Sequence, residues 1–171
     1  MTVFVLDSSA VLSGKPITLS EGNMVTVPSV EKEVAKNEED YRIFKYLMEK
    51  GLQVFIPSKE GVEVVENAAG KSGDIRRLSQ VDKELLALAV DLKKKGDVCI
   101  LTDDYSIQNV ADFLGIRYEG VSQNGISKRF VWVYQCTGCK KVFKEYMSSC
   151  PVCGSPLKMV VKKRFTLSRK R

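Results

Sequence analysis

The chain has 171 residues, 44% of them hydrophobic, which allows one sizeable core and a small appended module. It contains no histidine, and this excludes Ser-His-Asp and Cys-His nucleophilic machinery and any histidine general base; acid–base chemistry has to rest on carboxylates, lysine, tyrosine or a metal-activated water. The net charge of +6 hides a division, since residues 126–171 carry 12 of the 27 Lys and Arg against one acid, Glu145, a local +11, whereas residues 1–125 sum to −5.

In chain order, "VFVLD" (3–7), "MVTVP" (24–28), "QVFIP" (53–57), "DVCILTDD" (97–104) and "GIRYEGV" (115–121) read as strands. Several are too uniformly apolar to be half exposed, so we expect them buried and parallel. "VPSVEKEV" supplies helical turns after the second strand. "YRIFKYLMEKG" places Tyr41, Phe44, Leu47 and Met48 on one helical face and stops at Gly51. Val81, Leu85, Leu88 and Leu92 form a second stripe that ends at Gly96, and a third helix runs from the aspartate pair through Val110, Phe113 and Leu114 to Gly115. Such alternation predicts an α/β fold, an open and mostly parallel sheet flanked by helices.

Residues 58–80 mix charges, small residues and three glycines, and predict a mobile surface insertion. "SQNGISK" (122–128) reads as a hinge. Beyond it, "RFVWVYQC" puts Phe130, Trp132 and Tyr134 on one strand face and "LKMVVKKRF" supplies a partner strand. The aromatics either stack on bases or form that module's hydrophobic face. The expected boundaries are a first domain at 1–122, a linker at 123–129, a small β module at 130–161 and a basic tail at 162–171. No apolar run approaches the ~20 residues that span a bilayer, and the start "MTVFVLDSSA" lacks the pattern of a signal peptide, so we expect a cytoplasmic protein with no membrane partner.

In open α/β sheets ligands gather where chains leave the carboxyl ends of the strands. Asp7 closes the first strand, Asp103 and Asp104 close the fourth, Glu31 and Glu33 follow the second, and Asp82 opens the helix "VDKELLALAV". Each has an ordinary use as a helix cap or dipole partner. Together, clustered carboxylates repel one another unless a cation sits among them, and an all-oxygen set without histidine favours one or two Mg²⁺ or Mn²⁺. Whether Glu31 or Glu33, and Asp103 or Asp104, would face the metal stays open at this point.

"CTGCKKVFKEYMSSCPVCG" spaces Cys136, Cys139, Cys150 and Cys153 as two C-x-x-C turns. Four soft ligands in two tight loops predict one structural zinc in a small β ribbon, in preference to disulfides or a redox pair. Lys140, Lys141, Lys144 and Lys158, then Lys162, Lys163, Arg164, Arg169, Lys170 and Arg171, can neutralise the charges of a polyanion.

"VFVLDSSA", "VPSVEKEV", "VDKELLALA" and "LTDDYSIQNVA" resemble the four acidic motifs of PIN-domain ribonucleases. With the C-x-x-C pairs, the whole chain resembles the Nin-one-binding protein family, and its shortness points to an archaeal member. The resemblance implies a PIN-like nuclease domain at 1–122, a zinc ribbon, and metal-dependent endonucleolytic cleavage at the 3′ end of precursor small-subunit ribosomal RNA. It places the catalytic and metal-binding acids at Asp7, Glu33, Asp82 and Asp104, with Glu31 and Asp103 as additional acids. The implied partners are the precursor RNA, the pre-ribosomal small subunit and ribosome assembly proteins. The rival expectation is a non-catalytic RNA-binding assembly factor that keeps the fold for docking.

Overall fold

The computed structural model describes the backbone at residues 2–14, 23–121 and 128–165, and the side chains there except at 128–132 and 161–165. The chain divides into two compact units, 1–122 and 123–171. The first unit contains β1 (Val3–Leu6), α1 (Ser8–Ser13), β2 (Asn23–Thr26), α2 (Pro28–Val34), α3 (Glu38–Glu49), β3 (Gln53–Val54), α4 (Lys59–Ser72), α5 (Gln80–Lys93), β4 (Val98–Leu101), α6 (Tyr105–Phe113) and β5 (Arg117–Glu119). All five strands pair in parallel in the order β3-β2-β1-β4-β5. Parallel strands covered on both faces need apolar residues at every position, and β4 (Val98, Cys99, Ile100, Leu101) is buried throughout.

The helices start where short polar side chains accept the free amide N–H groups of a first turn. Asp7, Asn37, Ser58, Ser79 and Asp104 cap α1, α3, α4, α5 and α6 in this way. Their inner faces meet in one core built on Phe44, Leu47, Leu85, Leu86, Ile107 and the strands. Two expected core residues lie elsewhere. Met48 is 42% exposed because α3 turns Ile43, Phe44 and Leu47 inward, and Phe113 is 54% exposed because α6 buries Ile107, Val110 and Ala111.

Residues 58–80 correct the expectation of a mobile insertion, since 14 of them form α4. Val65, Ala68 and Ala69 bury one face of it, while its charged residues point to water. The Ser58 amide donates to Asp91 Oδ2 and its hydroxyl to Oδ1, both at 2.7 Å, so α5 clamps the start of α4. Gly61 permits the close approach: a Cβ there would lie 2.7 Å from Asp91 Oδ1 and 2.9 Å from the Ala87 carbonyl. Gly61→Val should therefore lower stability by about 2 kcal/mol through overpacking and loss of the clamp, as read by denaturant melts. Past α4, buried Asp74 accepts from Ser72 and from Asn109 of α6 at 2.8 and 2.9 Å, pinning the connection to α5 onto the body.

The second unit is a three-stranded antiparallel sheet, β7-β6-β8, from β6 (Lys128–Cys136), β7 (Val142–Phe143) and β8 (Leu157–Phe165). β6 begins at Lys128 and β8 runs on to Phe165, so the sheet takes in the end of the expected linker and the start of the expected tail. Residues 122–127 of the expected hinge, and the tail from 166 onward with Arg169, Lys170 and Arg171, lie outside the described residues. Tyr134 is 1% exposed and packs edge-on against Tyr146, with ring centroids 5.5 Å apart. That aromatic belongs to the ribbon's interior and is closed to bases; the side chains of Phe130 and Trp132 lie outside the described set.

Candidate active site and metal centre

β1 and β4 lie side by side with Leu6 opposite Leu101, so the residues that follow leave the same edge of the sheet together. Asp7 is 8% exposed and is held from three directions. Its Oδ1 accepts from Ser9 Oγ and from the Ala10 amide, both at 2.8 Å, and its Oδ2 accepts from the Thr102 hydroxyl. Thr102, fully buried, also accepts from the Asp104 amide at 3.0 Å, and its carbonyl accepts from Gln108 at 2.8 Å. One threonine thus ties the two strand ends together.

Asp7, Glu33, Asp82 and Asp104 line a single cavity of about 380 Å³, together with Ser8, Ser9 and Ser79. They arrive from four segments: the end of β1, the last turn of α2, the first turn of α5, and the cap of α6. Capping and lining coexist. Asp104 Oδ1 accepts from the Ser106 amide at 2.8 Å, and Asp82 Oδ2 from the Ser79 amide at 3.0 Å within a reciprocal capping box. The second oxygen of Asp104 and both of Glu33 have no hydrogen-bond partner among the described residues.

The neighbouring acids face elsewhere. Asp103 Oδ1 accepts from the Val121 amide at 2.6 Å, beside the exit of β5, and Glu31 accepts from the Tyr41 hydroxyl at 3.3 Å. Of the two pairs, Glu33 and Asp104 are the members that line the cavity.

Burial raises the Asp82 pKa above the ordinary aspartate value, and the carboxylates of Asp104 and Asp7 push it further the same way. The crowding has a chemical remedy, since hard oxygen donors around a polar cavity suit Mg²⁺ or Mn²⁺. Among the described residues only the four cysteines hold all their ligand atoms within 4.8 Å of one another. The acids instead surround a wider space, which fits ions that keep several of their waters.

In the second unit, Cys136 and Cys153 sulfurs lie 3.2 Å apart, and those of Cys139 and Cys150 lie 3.7 Å apart. Tetrahedral zinc with Zn–S of about 2.3 Å needs sulfurs about 3.8 Å apart, so the cluster fits. The two turns repeat one design. Cys136 Sγ accepts from the Gly138 and Cys139 amides and Cys150 Sγ from the Val152 amide, all at 3.3 Å. The residue after each second cysteine, Lys140 (φ 69°) and Gly154 (φ 83°), turns left-handed. A Cβ on Gly138 would come within 2.5 Å of Ser155 Oγ and 3.1 Å of Cys153 Sγ, so the turn closes only around glycine.

The thiols titrate apart. Ser155, through its side chain and then its amide, draws the Cys153 thiol down to about 6. The Lys141 amide lowers Cys139, but desolvation and the three neighbouring thiols outweigh it and push Cys139 up to about 11. Of the expected RNA-binding lysines, Lys140, Lys141, Lys144 and Lys158 are exposed on this unit; Lys162, Lys163 and Arg164 lie on β8, with side chains outside the described set.

A parallel sheet whose central strands deliver acids to one cavity is the architecture of a PIN domain of ribonuclease, and the model of that family matches residues 4–92. The chain is 46% identical to Endoribonuclease Nob1 of Archaeoglobus fulgidus over 90% of its length and 87% of the relative's, and 41% identical to that of Pyrococcus abyssi over 94% of both. It is also 39% identical to Ribonuclease VapC1 of Thermoplasma acidophilum, over 98% of its own length and 83% of the relative's. The chain belongs to the Nob1 family of PIN-domain endoribonucleases. Among the described residues, no helix is long and apolar enough to cross a membrane.

Sequence reasoning missed Thr102 and Ser9, which orient Asp7. The available signal was a hydroxyl residue directly before the acid pair at a buried strand end. Thr102→Val removes the hydroxyl at constant shape and should slow cleavage by roughly 10- to 100-fold, as loss of a residue that orients a ligand does, whereas Thr102→Ser retains most of the rate. Single-turnover kinetics on the two variants checks this.

Proposed function

We propose that this chain is a divalent-metal-dependent endoribonuclease that cleaves precursor small-subunit ribosomal RNA at its 3′ end during ribosome assembly in the cytoplasm. The nuclease domain spans residues 1–122, and a ribbon at about 130–161 with its basic tail grips RNA around one structural zinc. The observation that carries the reading is the convergence of Asp7, Glu33, Asp82 and Asp104, from four separate segments, on one cavity. The ribosomal substrate rests on kinship with relatives named Endoribonuclease Nob1.

Asp7, fixed by Ser9, the Ala10 amide and Thr102, presents a carboxylate that does not have to reorganise. The carboxylates of Glu33, Asp82 and Asp104 complete a site for one or two Mg²⁺ or Mn²⁺. Such ions, when bound, activate water and offset charge that develops on the scissile phosphodiester, leaving 3′-hydroxyl and 5′-phosphate ends. Four carboxylates around one cavity repel a phosphodiester, so cations have to neutralise the cavity before RNA can settle there. Ser8, Ser9 and Ser79 add hydroxyls that can orient water or a phosphate oxygen.

The test is an assay on an RNA fragment spanning the 3′ end of the precursor. We expect endonucleolytic scission that requires Mn²⁺ or Mg²⁺, and RNA affinity that falls steeply with salt. Tight binding without scission under every divalent ion would instead establish the non-catalytic assembly factor.

A further inference from the structure

Next to the acidic cavity, on the same carboxyl edge of the sheet, is a larger cleft of about 470 Å³ that the reaction chemistry leaves unused. The two spaces share helices α2 and α5. Lys32 of the cleft adjoins Glu33 of the cavity, and Glu84 of the cleft follows Asp82 of the cavity by two residues. Part of the lining is apolar: Ile56, 81% exposed, with Pro57 and Val62.

Apolar surface alone does not select an occupant; the surrounding charges do. Lys32 and Lys59 are exposed and make no ion pair with any described residue, so both ammonium groups are available to phosphates. Two glutamates also line the cleft. Glu84 is engaged, accepting from Ser29 Oγ at 2.6 Å and from Gln80 at 3.3 Å, whereas Glu63 is exposed. A bare anion is poorly served by a site that contains carboxylates. A ligand with phosphates, a flat apolar face and N–H donors is served well, and a nucleotide has all three.

We propose that this cleft holds a nucleotide of the substrate strand next to the bond that is cut. Its phosphates pair with Lys32 and Lys59, its base packs on Ile56, Pro57 and Val62, and Glu63 accepts from the base N–H groups. The assignment deepens the nuclease reading and rests on it, because the adjoining acidic cavity is what directs the strand into the cleft.

The test uses the full chain and a short single-stranded RNA, with binding and single-turnover cleavage measured over a range of salt. All three residues to be replaced are exposed, so melting temperatures should not move. Lys32→Ala with Lys59→Ala should weaken RNA binding about tenfold and make the slope of log affinity against log salt shallower by about 1.4, or 0.7 per phosphate. Ile56→Ser should cost about fivefold, and an abasic nucleotide at one position beside the cut should cost the same in the parent but nothing further in Ile56→Ser. The losses should fall on KM rather than kcat and leave Mn²⁺ binding intact. Unchanged affinity and salt slope in variants that still cleave would overturn the cleft's role and spare the nuclease reading. A parent protein that binds RNA but never cleaves it would overturn that reading, and the variants' affinities would still decide whether the cleft holds RNA.

Discussion

Asp7→Asn protein will fold, bind RNA and fail to cut it. Asparagine caps a helix as well as aspartate does, and its side-chain oxygen can still accept from Ser9 and the Ala10 amide, so α1 is retained. What disappears is one negative charge at the most rigidly held position in the cavity, together with the acceptor of the Thr102 hydroxyl, since an amide nitrogen replaces Oδ2. We expect cleavage to fall on the order of 10³-fold, the scale of losing a preorganised electrostatic group at a reacting centre. RNA affinity should change by less than about twofold, because no phosphate contact is removed.

The same substitution has a converse effect on stability. Without a cation, burial raises the pKa of Asp82 and the Asp104 and Asp7 carboxylates add to it, so the folded state holds the Asp82 proton more tightly than the unfolded chain. Stability then falls as pH rises from the ordinary aspartate value through the raised one, and the penalty persists at neutral pH. In metal-free Asp7→Asn this pH-dependent loss between the aspartate range and neutrality should accordingly be smaller than in the parent. Added Mn²⁺ should raise the melting temperature of the parent more than that of the variant.

Zinc removal is the second large effect. Apart from Cys136 and Cys150, the described side chains of the second unit bury only Val133 and Tyr134 fully, far too little for an independent core. Structural zinc contributes about 10–16 kcal/mol in comparable small modules, so chelation should unfold this unit and leave the parallel sheet intact. Cys150→Ser, which removes a buried ligand, should act in the same way. Because Cys139 titrates at about 11, zinc has to displace its proton at neutral pH. Zinc affinity should therefore rise at least tenfold for each unit of pH near neutrality. Loss of ribbon amide signals on chelation, with those of the sheet unchanged, is the expected result in two-dimensional NMR spectra. A ribbon that keeps its spectrum without metal would contradict it.

The parts of the fold legible in the sequence were those written in local periodicity. Uniformly apolar "VFVL" and "VCIL" announced buried parallel strands, and the acids that follow them announced the functional edge. α1 was unreadable because six residues, Ser8–Ser13, are too few to show a helical stripe. α4 was obscured by its glycines, though Gly61 records a tight approach to α5 and not a break. That Glu31 bonds Tyr41 and Asp103 bonds the Val121 amide could not be read from local pattern, which does not connect those partners to the acids. Thr102 was passed over for a related reason: its hydroxyl acquires meaning only when β1 is known to lie beside β4.

A titration with Mn²⁺, followed amide by amide through paramagnetic broadening, tests the shared acidic site most directly. Signals around Asp7, Glu33, Asp82 and Asp104 should broaden together at one common concentration, and Asp7→Asn should weaken the whole set at once. Broadening that reaches these four at unrelated concentrations, or bypasses them for other surface acids, would contradict a single metal-binding cavity.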